Sequence, residues 1–122
     1  MAGQVLLIED EPNIAEALRF ILTRDGWQVA MLADGAQALA TVALVRPDVV
    51  ILDLMLPGAS GLDILRGLRA DPATRALPVL MLTAKGQDRD REAAQAAGVT
   101  AFMTKPFANA DIVARVRAMV AA

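Results

Sequence analysis

Five times along this chain a short apolar run gives way to a longer stretch whose apolar residues recur every three or four positions, and few folds tolerate that alternation. The runs span residues 5–8 (VLLI), 27–33 (WQVAMLA), 48–53 (DVVILD), 77–83 (LPVLMLT) and 100–103 (TAFM). Between 49 and 52 the third run has no polar residue, which suits a central parallel strand covered on both faces. The intervening stretches read as helices. Pro12 and Asn13 open the first, Ile14, Ala17, Leu18, Ile21 and Leu22 form its apolar face, and Asp25-Gly26 closes it. The second covers 36–45, after an Asp34-Gly35 turn, and ends before Pro47. Ser60 caps a third over 61–69, beyond a Pro57-Gly58 loop, and Asp71-Pro72 breaks it. Gly98 stops a fourth over 88–97, and a fifth runs over 109–120. Strand and helix alternating five times predict an α/β fold: a doubly wound parallel sheet with helices on both faces, because parallel neighbours need crossover helices.

A chain of 122 residues with 56% hydrophobic content fits one domain, 1–122, without a linker. Cysteine and histidine are both absent, which removes disulfides, thiolate and imidazole metal sites, and the commonest general base. The chemistry must run on carboxylates, hydroxyls, amines or backbone groups. Twelve Lys and Arg against 14 Asp and Glu give a net charge of -2, and the arginines are spread out, so no direct nucleic-acid contact is expected. The first apolar run is too short for a signal peptide, and charges interrupt every longer one before membrane length. The chain therefore reads as soluble, cytoplasmic and without membrane contact.

Glu9, Asp10, Asp53, Thr83 and Lys105 each stand at or just past the end of one of these runs. In a parallel sheet that places three acids, a hydroxyl and an amine at the carboxyl edge, where open α/β sheets bind ligands. Three acids converging there repel one another, and the cheapest relief is a hard divalent cation with oxygen ligands; Mg²⁺ fits best. A carboxylate beside Mg²⁺ can act as a nucleophile toward phosphorus, with Lys105 and Thr83 neutralising oxygens of the transferred group.

Four pieces, VLLIEDEPN, PDVVILDLMLPGASGLDIL, LPVLMLTA and MTKPF, carry these residues. In that order, with 30 residues from Asp53 to Thr83 (83 − 53) and 22 from Thr83 to Lys105 (105 − 83), the whole chain resembles the receiver domain of two-component response regulators. The resemblance implies a CheY-like, flavodoxin-like (βα)5 fold with strand order 2-1-3-4-5. It also implies that Asp53 is the phosphoacceptor, that Glu9, Asp10, Asp53 and the backbone carbonyl of Met55 hold Mg²⁺, and that Lys105 contacts the phosphoryl group. Thr83 is the implied switch hydroxyl, Phe102 the aromatic switch residue, and Lys105-Pro106 a cis peptide. The implied donor is a sensor histidine kinase or a histidine phosphotransfer protein, and the role is a phosphoacceptor switch rather than an enzyme. The recipient is a downstream protein or an output domain outside these residues.

Some positions depart from the family. Phe102 lacks the hydroxyl of the Tyr often found there. GVTAFMTKPF is similar to the winged-helix subfamily, but Thr100 and Ala101 replace two acids used there in dimer contacts, whereas Arg91, Asp111 and Arg115 match that face. A weak homodimer through the fourth helix, fifth strand and fifth helix is the resulting expectation. Lys85, two residues past Thr83, is expected to tune loss of the phosphoryl group by its charge.

Simpler roles compete with each assignment. Early acids such as Asp10 and Glu11 favour a helix N-terminus through its dipole, the one role read for Glu11, and Thr83 or Lys105 alone would read as a cap and a solvated lysine. Met31, Met55, Met81, Met103 and Met119 read as core or loop packing, and Trp27 as a packing residue. Among other functions, an aspartyl-phosphate phosphohydrolase usually needs a second acid two residues past its nucleophile, where this chain has Met55. A flavodoxin-type phosphate loop would be rich in Gly, Ser and Thr where this chain has Glu9-Asp10-Glu11. A receiver-like scaffold that is never phosphorylated remains the third alternative.

Overall fold

In the computed structural model, residues 3–83 and 88–121 are described. The elements follow the predicted order: β1 (Gln4–Ile8), α1 (Pro12–Arg24), β2 (Gln28–Leu32), a 3₁₀ turn (Gly35–Gln37), α2 (Ala38–Val45), β3 (Val49–Asp53), α3 (Gly61–Ala70), β4 (Val79–Thr83), α4 (Asp88–Ala96), β5 (Ala101–Thr104) and α5 (Asn109–Ala121). All strand pairings are parallel and the strand order is β2-β1-β3-β4-β5. The expected flavodoxin-like, CheY-like sheet is therefore present.

Every residue of β3 and β4 is buried, as the unbroken apolar runs require of strands covered on both faces. Alternate side chains go to opposite faces and build two cores. Leu6, Ile8, Val50, Leu52 and Met81 pack against Val42, Ile64, Leu65, Leu68 and Ala94 of α2, α3 and α4. Val5, Leu7, Val49, Ile51, Leu80 and Leu82 pack against Leu18, Leu22, Ile112 and Val116 of α1 and α5.

Local signals act where expected. Ser60 Oγ accepts a hydrogen bond from Asp63 N at 3.1 Å and caps α3. Gly98, at φ 91°, takes the left-handed conformation that ends α4. Other expectations need correction. Trp27 precedes β2 instead of opening it: its backbone N–H closes the turn after α1 by donating to Leu22 O at 3.0 Å, and its ring is buried. The second helix starts with the 3₁₀ turn, capped by Asp34 accepting from Ala36 N at 2.6 Å. Ala17 is exposed because Leu18 and Leu22 centre the buried stripe, and Ala17 lies roughly 100° round the helix from Leu18. Met31 and Met55 are 42% and 72% exposed, so neither fills the core. Met31 lies on an edge strand with a single neighbour, and Met55 in the loop after β3.

Candidate functional site

The sheet order reverses between β1 and β3, and the crevice at that reversal is where ligands enter open α/β sheets. Ile8 ends β1 opposite Leu32 of β2 and Leu52 of β3, so the chain delivers Glu9 into that crevice. Glu9 N donates to Leu32 O at 3.0 Å, extending the ladder one residue past the strand. Asp53 closes β3 beside it, and Leu54 N donates to Leu82 O at 2.8 Å. Because successive side chains diverge, Glu9 points inward, 2% exposed, while Asp10 is exposed. Asp53 and Thr83 are 5% and 2% exposed.

Lys105 is strapped into place by its backbone, its N–H donating to Thr83 O at 2.7 Å. Its Nζ donates to Asp53 Oδ2 at 3.0 Å and lies 3.0 Å from Glu9 Oε1. The second contact is ionic without hydrogen-bond alignment, which leaves Glu9 Oε1 buried with no hydrogen-bond partner. Glu9 Oε2 accepts from Glu11 N at 3.1 Å, and Asp53 Oδ1 from Met55 N at 3.4 Å. Burial pushes the Glu9 carboxyl above the usual range, and the Asp53 charge adds to this; the Glu11 N–H and Lys105 only partly oppose it. Burial pulls the Lys105 ammonium down, but its contacts with Glu9 and Asp53 outweigh this and raise it overall.

One oxygen from each of Glu9, Asp10 and Asp53 lies within 4.8 Å of the others. Three formal negatives face one ammonium, and one buried oxygen lacks a hydrogen bond. Hard donors in that state fit a divalent cation such as Mg²⁺. The structure thus brings together Glu9, Asp10, Asp53 and Lys105, with Thr83 at the end of the adjoining strand. Phe102 stands apart, paired with Met81 and two positions before Thr104, the partner of Thr83. It is partly buried against the core, and the Arg91 guanidinium lies 5.6 Å from its ring centre. The Lys105-Pro106 peptide is cis, as expected. Lys85 lies outside the described residues.

Two contributors escaped sequence reasoning. Glu11 makes no side-chain cap for α1; it serves through its backbone N–H on Glu9. Gly61 opens α3 so close to the strand end that a Cβ there would stand 2.3 Å from Asp53 O. The Ser60-Gly61 pair was readable as a helix start, but not as a close approach to the backbone of Asp53 and Leu54. Arg91, Asp111 and Arg115, the residues expected to take part in a homodimer contact, are exposed. Thr100 is exposed too, and its Oγ1 accepts from Val79 N at 3.0 Å and from Arg69 at 3.2 Å.

Comparison with known proteins adds to this geometry. A family model described as response regulator receiver domain matches residues 5–117. The chain is 43% identical over 118 residues to the DNA-binding response regulator MtrA of Mycolicibacterium smegmatis, covering 97% of this chain and 50% of that protein. It thus spans about half the length of the curated relatives it matches. The signal receiver domain of a signal transduction histidine kinase from Syntrophus aciditrophicus superposes with a TM-score of 0.91 at 32% identity, covering 98% of this chain and 90% of that one. The receiver domain of a sensor histidine kinase from Pseudomonas aeruginosa PAO1, with a magnesium ion coordinated in its active-site cleft, gives 0.86 at 30% identity, with full coverage of both.

Proposed function

Because the chain belongs to the response regulator receiver family, we propose that residues 1–122 form one receiver domain that accepts a phosphoryl group on Asp53. The donor in this reading is a phosphohistidine of a sensor histidine kinase or phosphotransfer protein, and the setting is the cytoplasm. The observation that carries it is the buried Asp53 carboxylate held against Lys105 at 3.0 Å, inside a cluster with Glu9 and Asp10.

One Asp53 oxygen attacks phosphorus, the phosphorus–nitrogen bond breaks, and an acyl phosphate forms. Glu9, Asp10, Asp53 and the Met55 carbonyl would hold Mg²⁺, which when bound supplies charge neutralisation for a phosphoryl oxygen. Lys105 is poised to move its hydrogen bond from the carboxylate to the incoming phosphoryl oxygens. Met55 N, now 3.4 Å from Asp53 Oδ1, supplies a backbone donor on the opposite side. Thr83 follows the modified group, and Phe102 transmits the shift to the face made by α4, β5 and α5. An open groove of about 480 Å³ borders Lys105, lined by Ile14, Leu18, Pro106 and Phe107, and offers a donor protein an apolar seat beside the carboxylates.

The domain acts as a switch that signals by protein contact, with a weak homodimer through α4, β5 and α5 as one output and no direct nucleic-acid contact by these residues. Among the described residues no helix is long and apolar enough to cross a membrane. The test is labelling with acetyl phosphate and Mg²⁺: the wild-type protein takes up one hydroxylamine-labile phosphate, and Asp53→Asn takes up none. Equal labelling of the variant would remove Asp53 from the reaction.

A further inference from the structure

Among the residues of α4, only Ala94 is buried; the rest are largely charged, Ala or Gln. Such a helix gains little from the hydrophobic effect, so specific contacts decide where it lies. Its far end is well tied. Val99 N donates to Ala94 O at 3.0 Å, and Arg69 Nε donates to Gly98 O at 2.8 Å while its other nitrogens hold Leu77 O, Thr74 O and the Thr100 hydroxyl. Nearer its start, at the fourth of its nine residues, α4 has a different attachment: the Arg91 guanidinium lies over the Phe102 ring of β5, at 5.6 Å from its centre.

We propose that the Arg91–Phe102 cation–π pair is a brake on the switch, holding α4 to β5 and the ring in its resting position until Asp53 is phosphorylated. The proposal rests on the receiver reading above. Phe102 occupies the same face of the sheet as Thr83, one strand over, because Met81 pairs with Phe102 and Thr83 with Thr104. A ring that leaves Arg91 to follow Thr83 gives up this attraction, so the pair stabilises the resting state alone. Phe102 has no hydroxyl, and its hold on α4 comes from its π face. The brake is a two-state bias of the kind a differential contact produces, and it also keeps Arg91 occupied in the resting protein.

The test is isothermal titration of the protein with beryllofluoride and Mg²⁺, a phosphoryl mimic. Arg91→Gln should bind it about two- to five-fold more tightly than wild type, the range an exposed cation–π contact corresponds to. Arg91→Lys, which keeps a cation, should lie closer to wild type. In a Phe102→Leu background, Arg91→Gln should have no further effect. Unchanged or weakened binding by Arg91→Gln, or an undiminished effect without the ring, would overturn the brake. Acetyl-phosphate labelling in parallel separates the two ideas: a wild-type protein that takes no phosphate refutes the receiver reading itself, whereas normal labelling with an Arg91→Gln affinity equal to wild type refutes the brake alone.

Discussion

Replacing Lys105 with Met, of similar reach but no charge, should destabilise the metal-free protein and do so much less when Mg²⁺ is present. The ammonium is the only cation within 4 Å of Glu9 and Asp53 among the described residues, at 3.0 Å from an oxygen of each. At an effective dielectric of about 20, each contact is worth roughly 5.5 kcal/mol gross. Desolvation of the ammonium offsets much of that sum, and removing one partner of a buried ion pair typically costs about 3–5 kcal/mol net. The Lys105 side chain is 20% exposed against 0% and 7% for its partners, so the lower end of that range applies, about 3 kcal/mol. For 122 residues the unfolding entropy is about 250 cal/mol/K, so the melting temperature should fall by about 12 °C in EDTA. A divalent cation on Glu9, Asp10 and Asp53 supplies the missing positive charge, and in excess Mg²⁺ the gap should shrink to a few degrees. Thermal melts followed by circular dichroism, with EDTA or Mg²⁺, measure both quantities. Equal stability of the two proteins in EDTA would refute the electrostatic account of the site, and a gap that ignores Mg²⁺ would refute the cation assignment.

Gly61→Ala should destabilise the protein by about 1–3 kcal/mol, the usual cost of overpacking, because its Cβ would stand 2.3 Å from Asp53 O; urea unfolding measures the loss, and slower acetyl-phosphate labelling should accompany it. The Arg117 guanidinium beside Asp25, opposed by burial and aided by the Trp27 indole N–H, holds the Asp25 carboxyl below its ordinary value. A carboxyl depressed in the native state stabilises the fold above the unfolded-state value and loses that contribution as pH falls through the native value. Asp25→Asn should therefore be less stable than wild type near neutrality, and the two melting curves should converge at strongly acidic pH. A difference that persists there would show that the Asp25 contribution is not ionic.

The architecture was legible because strand and helix periods are local properties. VVIL, four apolar residues without alternation, suited a strand buried on both faces, and β3 is one. Asp25-Gly26, Ser60 and Gly98 marked helix ends by backbone chemistry that operates within a few residues. Where side chains had to be assigned to inside or outside, local pattern was weaker: Ala17 sits at the margin of its helical stripe, and Met31 is exposed because β2 became an edge, which depends on strand order.

The residue types of the site, and their placement at strand ends, were properties of the sequence by itself, since a parallel sheet must bring those ends together. Their charge balance was a decision of the tertiary structure. Adjacent residues Glu9 and Asp10 look alike in sequence, yet one is sealed in the crevice with an oxygen lacking a hydrogen bond and the other faces solvent. The contact of Lys105 with Glu9 and Asp53 joins positions 96 and 52 residues away (105 − 9 and 105 − 53), and Arg91 meets Phe102 across two elements. Burial and long-range Coulomb contacts depend on where the whole chain excludes water, and local period carries no record of that.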